Sequence, residues 1–142
     1  MTTSFPHLKK MPESESEWFQ ALINLARFLR GPEGCPWDRK QTSKAFAHFL
    51  HGEAEELNEA LQGSNNAHIE EEFGDAFFCL MTTAAAAEAE GLFTLEKALE
   101  RAHEKMIRRH GHVFDGNTAA TPEQAIEAWE QVKAREKKKD NG

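Results

Sequence analysis

The sequence predicts an all-α protein, a helical bundle of about five helices. Its composition favours helix over sheet, since it contains no Tyr, few β-branched residues and many Ala, Glu and Leu. Apolar residues recur at helical spacing in five segments, and no segment alternates in the manner of a strand. The 142 residues fall within the roughly 100–200 usual for one domain. We therefore expect a single helical domain over residues 14–138, between flexible ends at 1–13 and 139–142.

The first helix is predicted to begin after Ser14. Ser14 suits the N-cap, and Glu17 occupies the reciprocal position of a capping box. Gly31 ends the helix. The next segment, residues 31–42, is rich in turn residues and is predicted to be a loop, although it contains the large aromatic Trp37. The helical repeat of apolar residues falls on Trp18, Leu22, Leu25, Ala26 and Leu29.

Four further helices are predicted along the chain. The second covers residues 43–61 and the third covers 67–90, and a glycine follows each of them. The fourth runs from just after Thr94 to about His110. The fifth has the clearest start, because Thr121 suits an N-cap and is followed by a Pro at the first helical position and a Gln at the reciprocal capping position.

Composition and charge narrow the functional class. The net charge of −7 argues against general nucleic-acid binding, which relies on Lys and Arg at phosphates. Two cysteines are too few for a disulfide framework. The first residues lack an apolar core of signal-peptide length, and no stretch approaches the roughly 20 apolar residues that cross a bilayer. We therefore expect a cytoplasmic protein that binds neither nucleic acid nor membrane.

Two pairs of carboxylates mark the second and third helices. Glu53 and Glu56 are three residues apart on the second helix, as are Glu72 and Asp75 on the third. Residues three apart lie on the same side of a helix, one turn from each other. Where the two helices face each other, the four side chains are expected to surround one point.

Glu53 is predicted to lie at the centre of an apolar stripe rather than on the polar side of its helix. On a helical wheel of about 100° per residue, the apolar residues of the helix fall within about 60° of it. An unpaired buried carboxylate is very costly, so this position predicts a cation, a metal or a proton beside Glu53. The other acids of both helices are interpreted as solvated. The apolar neighbours are Phe46, Phe49, Leu50, Leu57 and Ala60, and the solvated acids are Glu55, Glu59, Glu70 and Glu71.

The third helix continues from Asp75 into an uncharged stretch, residues 76–87, which is predicted to be buried on nearly all sides. A glycine inside a helix costs about 1 kcal/mol relative to Ala. Gly74 is therefore expected to allow close approach of a neighbouring helix or a ligand. A helix this long and apolar also favours a homodimer.

A site of four carboxylates suits a hard divalent cation. Oxygen ligands favour Mg²⁺, Ca²⁺ or Mn²⁺, whereas zinc would need His or Cys in the set. A di-iron bundle would need two Glu-x-x-His pairs, and the sequence offers one, from Glu100 to His103. Mg²⁺ is commonly held by a few carboxylates together with substrate phosphates. The carboxylates therefore point to phosphate chemistry.

Three cations near the end of the fourth helix suit phosphate groups. Lys105 and Arg109 are four residues apart and share a side of the helix, and Arg108 lies beside them. Cations bind phosphate well. The alternative is that these side chains stabilise the negative end of the helix dipole, and both interpretations stay open on the spacing alone.

Six segments resemble the MazG-type nucleoside triphosphate pyrophosphohydrolases, a group within the all-α NTP pyrophosphatases. They occur in the family's order and cover most of residues 31–133. The segments are GCPWDRKQT at 34–42, GEAEELNEAL at 52–61, EEFGD at 71–75, AEAEGLF at 87–93, EKMIRRHGHVF at 104–114 and AWEQVK at 128–133.

The resemblance implies magnesium-dependent hydrolysis between the α and β phosphates of a nucleoside triphosphate, with Mn²⁺ as a substitute cation. The products would be a monophosphate and pyrophosphate, as in housecleaning of the nucleotide pool. The implied metal ligands are Glu53, Glu56, Glu72 and Asp75, with Glu53 or Glu56 as the catalytic base. The family usually has an acid where this chain has Gly52. If that acid takes part in catalysis or orients a water, reduced or altered activity is expected here.

The resemblance also implies substrate contacts and an assembly. Lys105 and Arg109 would hold phosphates, and Trp129 would lie near the base or ribose. Trp37 is interpreted either as a structural plug or as a substrate contact. A homodimer is implied, with further pairing of dimers in some relatives. The full set of expected substrate-binding residues is Lys105, Arg108, Arg109, Trp129, Lys133, Trp37 and Asp38.

Two other functions fit the same residues. The first is a related metal-dependent phosphohydrolase that acts on a diphosphate or another phosphorylated small molecule. The second is a helical binding module whose acidic cluster captures a nucleotide or metal without turnover, because a fold does not prove a function. The departure at Gly52 keeps the second alternative open.

Overall fold

The structure is a computed structural model that describes residues 5–116 and 118–140. Within these ranges all regular secondary structure is helical and no strand occurs, which confirms the predicted all-α class. One 3₁₀-helix, Pro6–Leu8, precedes the α-helices. The α-helices are α1 (Glu15–Leu29), α2 (Pro36–Lys40), α3 (Ser43–Leu61), α4 (Asn66–Ala89), α5 (Leu95–Arg109), α6 (Gly111–Phe114) and α7 (Pro122–Asp140).

The region expected as one domain, residues 14–138, contains two compact units. The first ends at Leu95 and the second begins at Glu96. The first unit contains α1 to α4, and the second contains nearly all of α5 together with α6 and α7.

The core of the first unit lies between α1 and α4. Ile23 and Ala26 of α1 are each 1% exposed, and they pack with α4 and with Leu95. Full burial of an aliphatic side chain such as Ile23 stabilises a fold by about 1.5–3 kcal/mol. The fully buried α4 residues of this core are two alanines and one Met, and the larger rings of Phe77 and Phe78 pack against it while partly buried. The α4 residues are Met81, Ala84 and Ala85.

The helix ends follow the predicted capping chemistry. Ser14 Oγ accepts a hydrogen bond from the Glu17 amide, and Glu17 Oε2 accepts one from the Glu13 amide. Thr121 Oγ1 likewise accepts from the Gln124 amide at the start of α7. These contacts satisfy amides that have no partner within their own helix. The first four predicted helices agree with α1, α3, α4 and α5 to within one or two residues, and the fifth has the predicted start of α7. The fifth helix was expected to end before residues 137–142, but α7 continues to Asp140.

The predicted loop over residues 31–42 is wrong in part, because α2 forms within it. Cys35 and Pro36 start this short helix, with Pro at the first helical position. The chain reaches it through a tight reversal in which the Cys35 amide donates to the Leu29 carbonyl at 2.8 Å. Gly34 lies against the end of α1 there, and a Cβ at this position would lie 2.3 Å from the Leu29 carbonyl oxygen.

The N-terminal segment expected to be flexible, residues 1–13, packs in part against α1. Phe5 is 9% exposed, and its ring lies 5.3 Å from that of Phe28. His7 Nε2 and the Asn24 side-chain amide are hydrogen-bonded at 3.1 Å. Residues 1–4 and 141–142 of the two expected flexible ends lie outside the described residues, whereas Lys139 and Asp140 belong to α7.

The apolar stretch of α4 is only partly buried, contrary to the expectation of burial on nearly all sides. Residues 84–87 are buried, but Leu80 is 46% exposed. Phe73, one turn before the stretch, is 59% exposed. A Cβ added at Gly74 would meet no atom within 4 Å, so no close approach within the described part of the chain explains this glycine.

No helix in the described part of the chain is long and apolar enough to cross a membrane.

Replacement of Gly34 by Ala is expected to destabilise the protein by about 1–3 kcal/mol, because the new Cβ would meet backbone oxygens that cannot move aside cheaply. The measurement is the free energy of unfolding in urea. Gly74→Ala is the control, since the space around it is open, and a gain of up to about 1 kcal/mol is expected there from helix propensity. Equal effects of the two substitutions would contradict this account of the reversal.

Candidate metal and substrate site

Three carboxylates converge where α3 packs against α4. Glu53 and Glu56 of α3 and Glu72 of α4 each offer one oxygen, and these oxygens all lie within 4.8 Å of one another. The short connection between the two helices, residues 62–65, turns α4 back along α3. The Asn65 side chain accepts from the His68 amide and so fixes the first turn of α4. Helix spacing and this reversal together bring the three acids to one point.

Burial makes the cluster electrostatically unfavourable as a set of bare carboxylates. Glu53 Oε2 and Glu72 Oε2 are both buried and have no hydrogen-bond partner in the described part of the chain. Burial raises the pKa of Glu53, and the neighbouring charges of Glu56 and Asp75 raise it further. Burial and Glu56 likewise raise the pKa of Glu72. A divalent cation fits this site, since it would supply charge and partners to these oxygens.

Asp75 is not brought into the group of converging oxygens. Its side chain is exposed, and its charge acts on the cluster from nearby by raising the pKa of both Glu53 and Glu72. Of the four expected metal ligands, Glu53, Glu56 and Glu72 converge, whereas Asp75 lies nearby without joining the converging oxygens.

The neighbouring acids of both helices face solvent. Glu55 is 72% exposed and lies 3.8 Å from His51 Nδ1. The acids in this exposed class are Glu55, Glu59, Glu70 and Glu71.

Sequence reasoning missed two residues beside the cluster. His68 Nδ1 lies 3.8 Å from Glu72 Oε1 and lowers the pKa of that carboxyl, against the larger effect of burial. Its spacing of four residues from Glu72 was the available signal. Cys79 donates its thiol to the Phe46 carbonyl at 3.4 Å, and burial followed by the Glu53 charge raises the pKa of this thiol.

The aromatic residue of α2 lies on α3, one turn before Glu53. The Trp37 ring stacks on Phe49 with centroids 5.8 Å apart and meets Phe46 edge-on at 6.0 Å. Trp37 is nevertheless 53% exposed. Asp38 is half-buried, and its backbone carbonyl accepts from Arg30 Nη1 at 2.8 Å. Trp37 therefore both packs on the protein and offers a free aromatic surface.

In the second unit, both predicted phosphate-binding arginines contact Glu136 of α7. Arg108 Nε lies 2.5 Å from Glu136 Oε1, and Arg109 Nη2 lies 2.8 Å from Glu136 Oε2. Arg109 also lies over Trp129, with its guanidinium carbon 5.1 Å from the ring centroid. The remaining expected cations, Lys105 and Lys133, are exposed.

Glu136 could not be found from the sequence, because it is 27 residues from Arg109 and no local spacing connects them. The two arginines hold the pKa of Glu136 at about 2, against a usual value of 4.5. Trp129 completes the group through an edge contact of 5.3 Å with the His110 ring.

Comparison with known proteins identifies the family of this helical arrangement. Residues 41–114 match the family model described as the MazG nucleotide pyrophosphohydrolase domain. The chain belongs to the MazG family. The predicted family is therefore confirmed. The matched region contains the three converging carboxylates as well as Lys105, Arg108 and Arg109.

Individual MazG relatives agree with this assignment. The chain is 40% identical over 121 residues to the nucleoside triphosphate pyrophosphohydrolase/pyrophosphatase MazG of Thermotoga maritima, covering 85% of this chain and 46% of that protein. It is 32% identical over 117 residues to the nucleoside triphosphate pyrophosphohydrolase of Escherichia coli, covering 82% of this chain and 44% of that protein. The chain thus spans less than half the length of these two relatives.

A solved MazG structure has a similar fold. The crystal structure of a mazG-related protein from Thermotoga maritima superimposes with a TM-score of 0.69 at 30% identity. The match covers 81% of this chain and 98% of that one.

The Glu136 ion pairs predict an acid-dependent loss of stability. Because the folded pKa of about 2 lies below the usual 4.5, the unfolded protein binds more protons between these values, and stability falls with falling pH. The contribution is therefore complete above pH 4.5 and is lost as the pH falls through about 2. We expect the difference in unfolding free energy between wild type and Glu136→Gln to be constant at neutral pH and to shrink in this window.

The measurement is urea unfolding followed by circular dichroism at a series of pH values. Glu127→Gln is the control, because Glu127 is an exposed acid on the same helix. A stability difference for Glu136→Gln that stays the same down to pH 2 would contradict the ion-pair assignment.

Proposed function

We propose that this chain is a magnesium-dependent nucleoside triphosphate pyrophosphohydrolase that cleaves between the α and β phosphates. The observation that carries the proposal is the convergence of Glu53, Glu56 and Glu72, with two buried oxygens that lack partners in the described part of the chain. The family match and the names of the relatives support the reaction class. The products would be a nucleoside monophosphate and pyrophosphate, which suits housecleaning of the nucleotide pool.

The metal ligands of this proposal are Glu53, Glu56 and Glu72, with Asp75 contributing its charge from the margin. All four offer oxygen donors, which suit Mg²⁺ and, as a substitute, Mn²⁺. The cation, when bound, supplies positive charge to phosphate oxygens and acidifies water.

The protein's own carboxylates supply the base. Water attacks the α phosphorus, the bond from that phosphorus to the bridging oxygen breaks, and pyrophosphate leaves with the bonding electrons. Glu53 and Glu56 are the candidates to accept the proton of the attacking water. Glu56 is the exposed member of the cluster, and Glu53 offers an oxygen within 4.8 Å of the Glu56 oxygen.

Cations and aromatic rings are assigned to the rest of the substrate. Positive side chains offset the charge that develops on the leaving pyrophosphate. The exposed Trp37 ring, backed by its stack on Phe49, offers a flat face suited to a nucleobase, and Trp129 is assigned to the base or ribose. The assigned substrate-binding residues are Lys105, Arg108, Arg109, Trp129, Lys133, Trp37 and Asp38.

The assembly proposed is a homodimer in the cytoplasm, with pairing of dimers as a further step. Exposed apolar side chains on α1 and α4 support it. The rings of Phe73 and Phe77 stack at 6.3 Å, and Phe19 meets Phe77 at 5.8 Å. Trp18 and Leu80 are 48% and 46% exposed. Exposed apolar side chains beside rings that contact one another are typical of a surface that meets another protein.

Gly52 supports one alternative, a nucleotide-binding module without turnover. A Cβ at this position would meet no atom within 4 Å, so the space that the family's acidic side chain would enter is open in the described part of the chain. Tight nucleotide binding without pyrophosphate release in the presence of Mg²⁺ would favour this alternative.

Glu53→Gln is expected to lower kcat for nucleoside triphosphates by at least about 100-fold, because the change removes a carboxylate ligand and a candidate base. The measurement is pyrophosphate release from a panel of common and damaged triphosphates. Glu55→Gln on the same helix is the control and should leave activity unchanged, since Glu55 faces solvent. Wild-type turnover in Glu53→Gln, or release of orthophosphate alone from the wild-type protein, would contradict the proposal.

Metal binding is expected to raise the melting temperature of the wild-type protein. Mg²⁺ or Mn²⁺ would offset the repulsion between the buried carboxylates, and a chelator would reverse the gain. Glu72→Gln should raise the melting temperature of the metal-free protein, because one buried charge disappears, and should weaken the response to metal. Glu71→Gln, an exposed neighbour, should respond like wild type. A full metal response in Glu72→Gln would contradict the assigned ligand set.

A further inference from the structure

A histidine lies beside the most buried carboxylate of the cluster. His68 Nδ1 is 3.8 Å from Glu72 Oε1, one turn further along α4. The side chain of Glu72 is 12% exposed, whereas that of His68 is 52% exposed. The Asn65 side chain accepts from the His68 amide at 3.2 Å and so holds the backbone from which the ring projects. The ring therefore meets Glu72 from the side that faces solvent.

The two carboxylate oxygens of Glu72 have different surroundings. Oε2 is buried and has no hydrogen-bond partner in the described part of the chain, whereas Oε1 lies beside His68. Carboxylates that bind a metal are commonly held by a hydrogen bond from a neighbouring group, which orients them toward the ion. This arrangement leaves Oε2 for a cation and Oε1 for the imidazole ring.

His68 has the space to complete this contact. It lines a cavity of about 430 Å³ at the turn between α3 and α4, together with the two cluster members Glu56 and Glu72. A hydrogen bond needs about 2.7–3.2 Å between nitrogen and oxygen, so the ring must move roughly 1 Å toward Oε1. A half-exposed side chain changes its torsion angles readily, and the cavity gives this ring room to do so.

The chain contains a second pair of the same geometry without a metal ligand. His51 and Glu55 of α3 are also four residues apart, and His51 Nδ1 is also 3.8 Å from Glu55 Oε1. Glu55 is 72% exposed, so water solvates and orients its carboxylate, and a pair of this kind contributes little. Burial removes that water from Glu72. The same spacing therefore has a consequence at the cluster that it lacks on the surface of α3.

We propose that His68 is a positioning residue of the metal site, which holds Glu72 Oε1 through its Nδ1–H group and leaves the buried Oε2 for the cation. The proposal rests on the proposed function and deepens it, because it adds a residue that orients one ligand without binding the metal. A neutral ring suffices, since Nδ1–H donates and Oε1 accepts. Loss of such a partner typically weakens metal binding about 10–100-fold.

The experiment uses Mn²⁺ alone as the probe. The measurement is the free Mn²⁺ that electron paramagnetic resonance detects when the ion is titrated into the protein. His68→Phe keeps a ring but removes the donor, and it should raise the dissociation constant about tenfold. His68→Asn places an amide N–H near the position of Nδ1 and should bind within about twofold of wild type. His51→Phe is the matched control and should bind Mn²⁺ as wild type does.

A double variant tests whether His68 acts through Glu72. In the Glu72→Gln background, His68→Phe should change the dissociation constant by less than about twofold, because the carboxylate that it positions is absent. Pulsed electron paramagnetic resonance of Mn²⁺ bound to wild type should show no directly coordinated nitrogen, since the ring holds an oxygen of Glu72 rather than the ion.

Four results would each overturn the role of His68. They are wild-type affinity in His68→Phe, failure of His68→Asn to restore binding, a full loss in the Glu72→Gln background, and a nitrogen bound directly to Mn²⁺. If His68→Phe fails to fold by circular dichroism, His68→Ala takes its place in the same comparison.

Turnover is measured separately, so that this proposal and the proposed function can fail independently. If wild type releases no pyrophosphate from any triphosphate but the variants bind Mn²⁺ in the expected order, the proposed function fails and the role of His68 stands. If wild type releases pyrophosphate and His68→Phe binds Mn²⁺ as tightly as wild type, the role of His68 fails alone. Absence of Mn²⁺ binding by wild type would overturn the role of His68.

Discussion

The burial of negative charge between α3 and α4 is the constraint on which the rest of the structure depends. Glu53 and Glu72 each have a buried carboxylate oxygen without a partner in the described part of the chain. One oxygen of each of these acids and one of Glu56 lie within 4.8 Å of one another. Bare carboxylates at this separation repel each other, and burial strengthens the repulsion because less water screens it. Helix packing must offset this cost. The capped reversal between α3 and α4 and the core of Ile23, Ala26 and Ala84 supply that packing.

The carboxylate cluster therefore lowers the stability of the metal-free protein, while it offers oxygen ligands suited to a divalent cation. Under the proposed function, a bound divalent cation would relieve this repulsion and so stabilise the folded protein. Asp75 contributes at longer range, since an exposed charge can raise a neighbour's pKa without sharing a ligand position. In the second unit, by contrast, opposite charges are paired, because Arg108 and Arg109 both form ion pairs with Glu136.

The sequence predicted those features that depend on local spacing. Capping residues such as Ser14 and Thr121 fixed helix starts, and the helical wheel separated Glu53 from the exposed Glu55 because side-chain direction repeats every 3.6 residues. The short helix α2 was missed because its turn residues are equally typical of a loop, and it is Gly34 that lets the chain reverse tightly enough to form it. The exposure of Leu80 was missed because composition alone does not reveal which side of a helix lacks a partner.

Contacts between distant segments lay beyond sequence reasoning. Glu136 meets Arg108 across 28 residues, and no periodicity connects an acid on one helix to arginines on another. The margin position of Asp75 was equally hidden, since its spacing from Glu72 matches that of Glu56 from Glu53 while the inter-helix geometry differs. At Gly52 the sequence was sufficient. It indicated a missing acid, and the structure shows open space at that position.

The most direct test of the central claim is the anomalous scattering of a crystal grown with Mn²⁺. The account predicts a peak that lies about 2.0–2.2 Å from oxygens of Glu53, Glu56 and Glu72, at a distance typical of small divalent cations. A peak that contacts none of these three carboxylates, or no peak at a Mn²⁺ concentration that supports turnover, would contradict it.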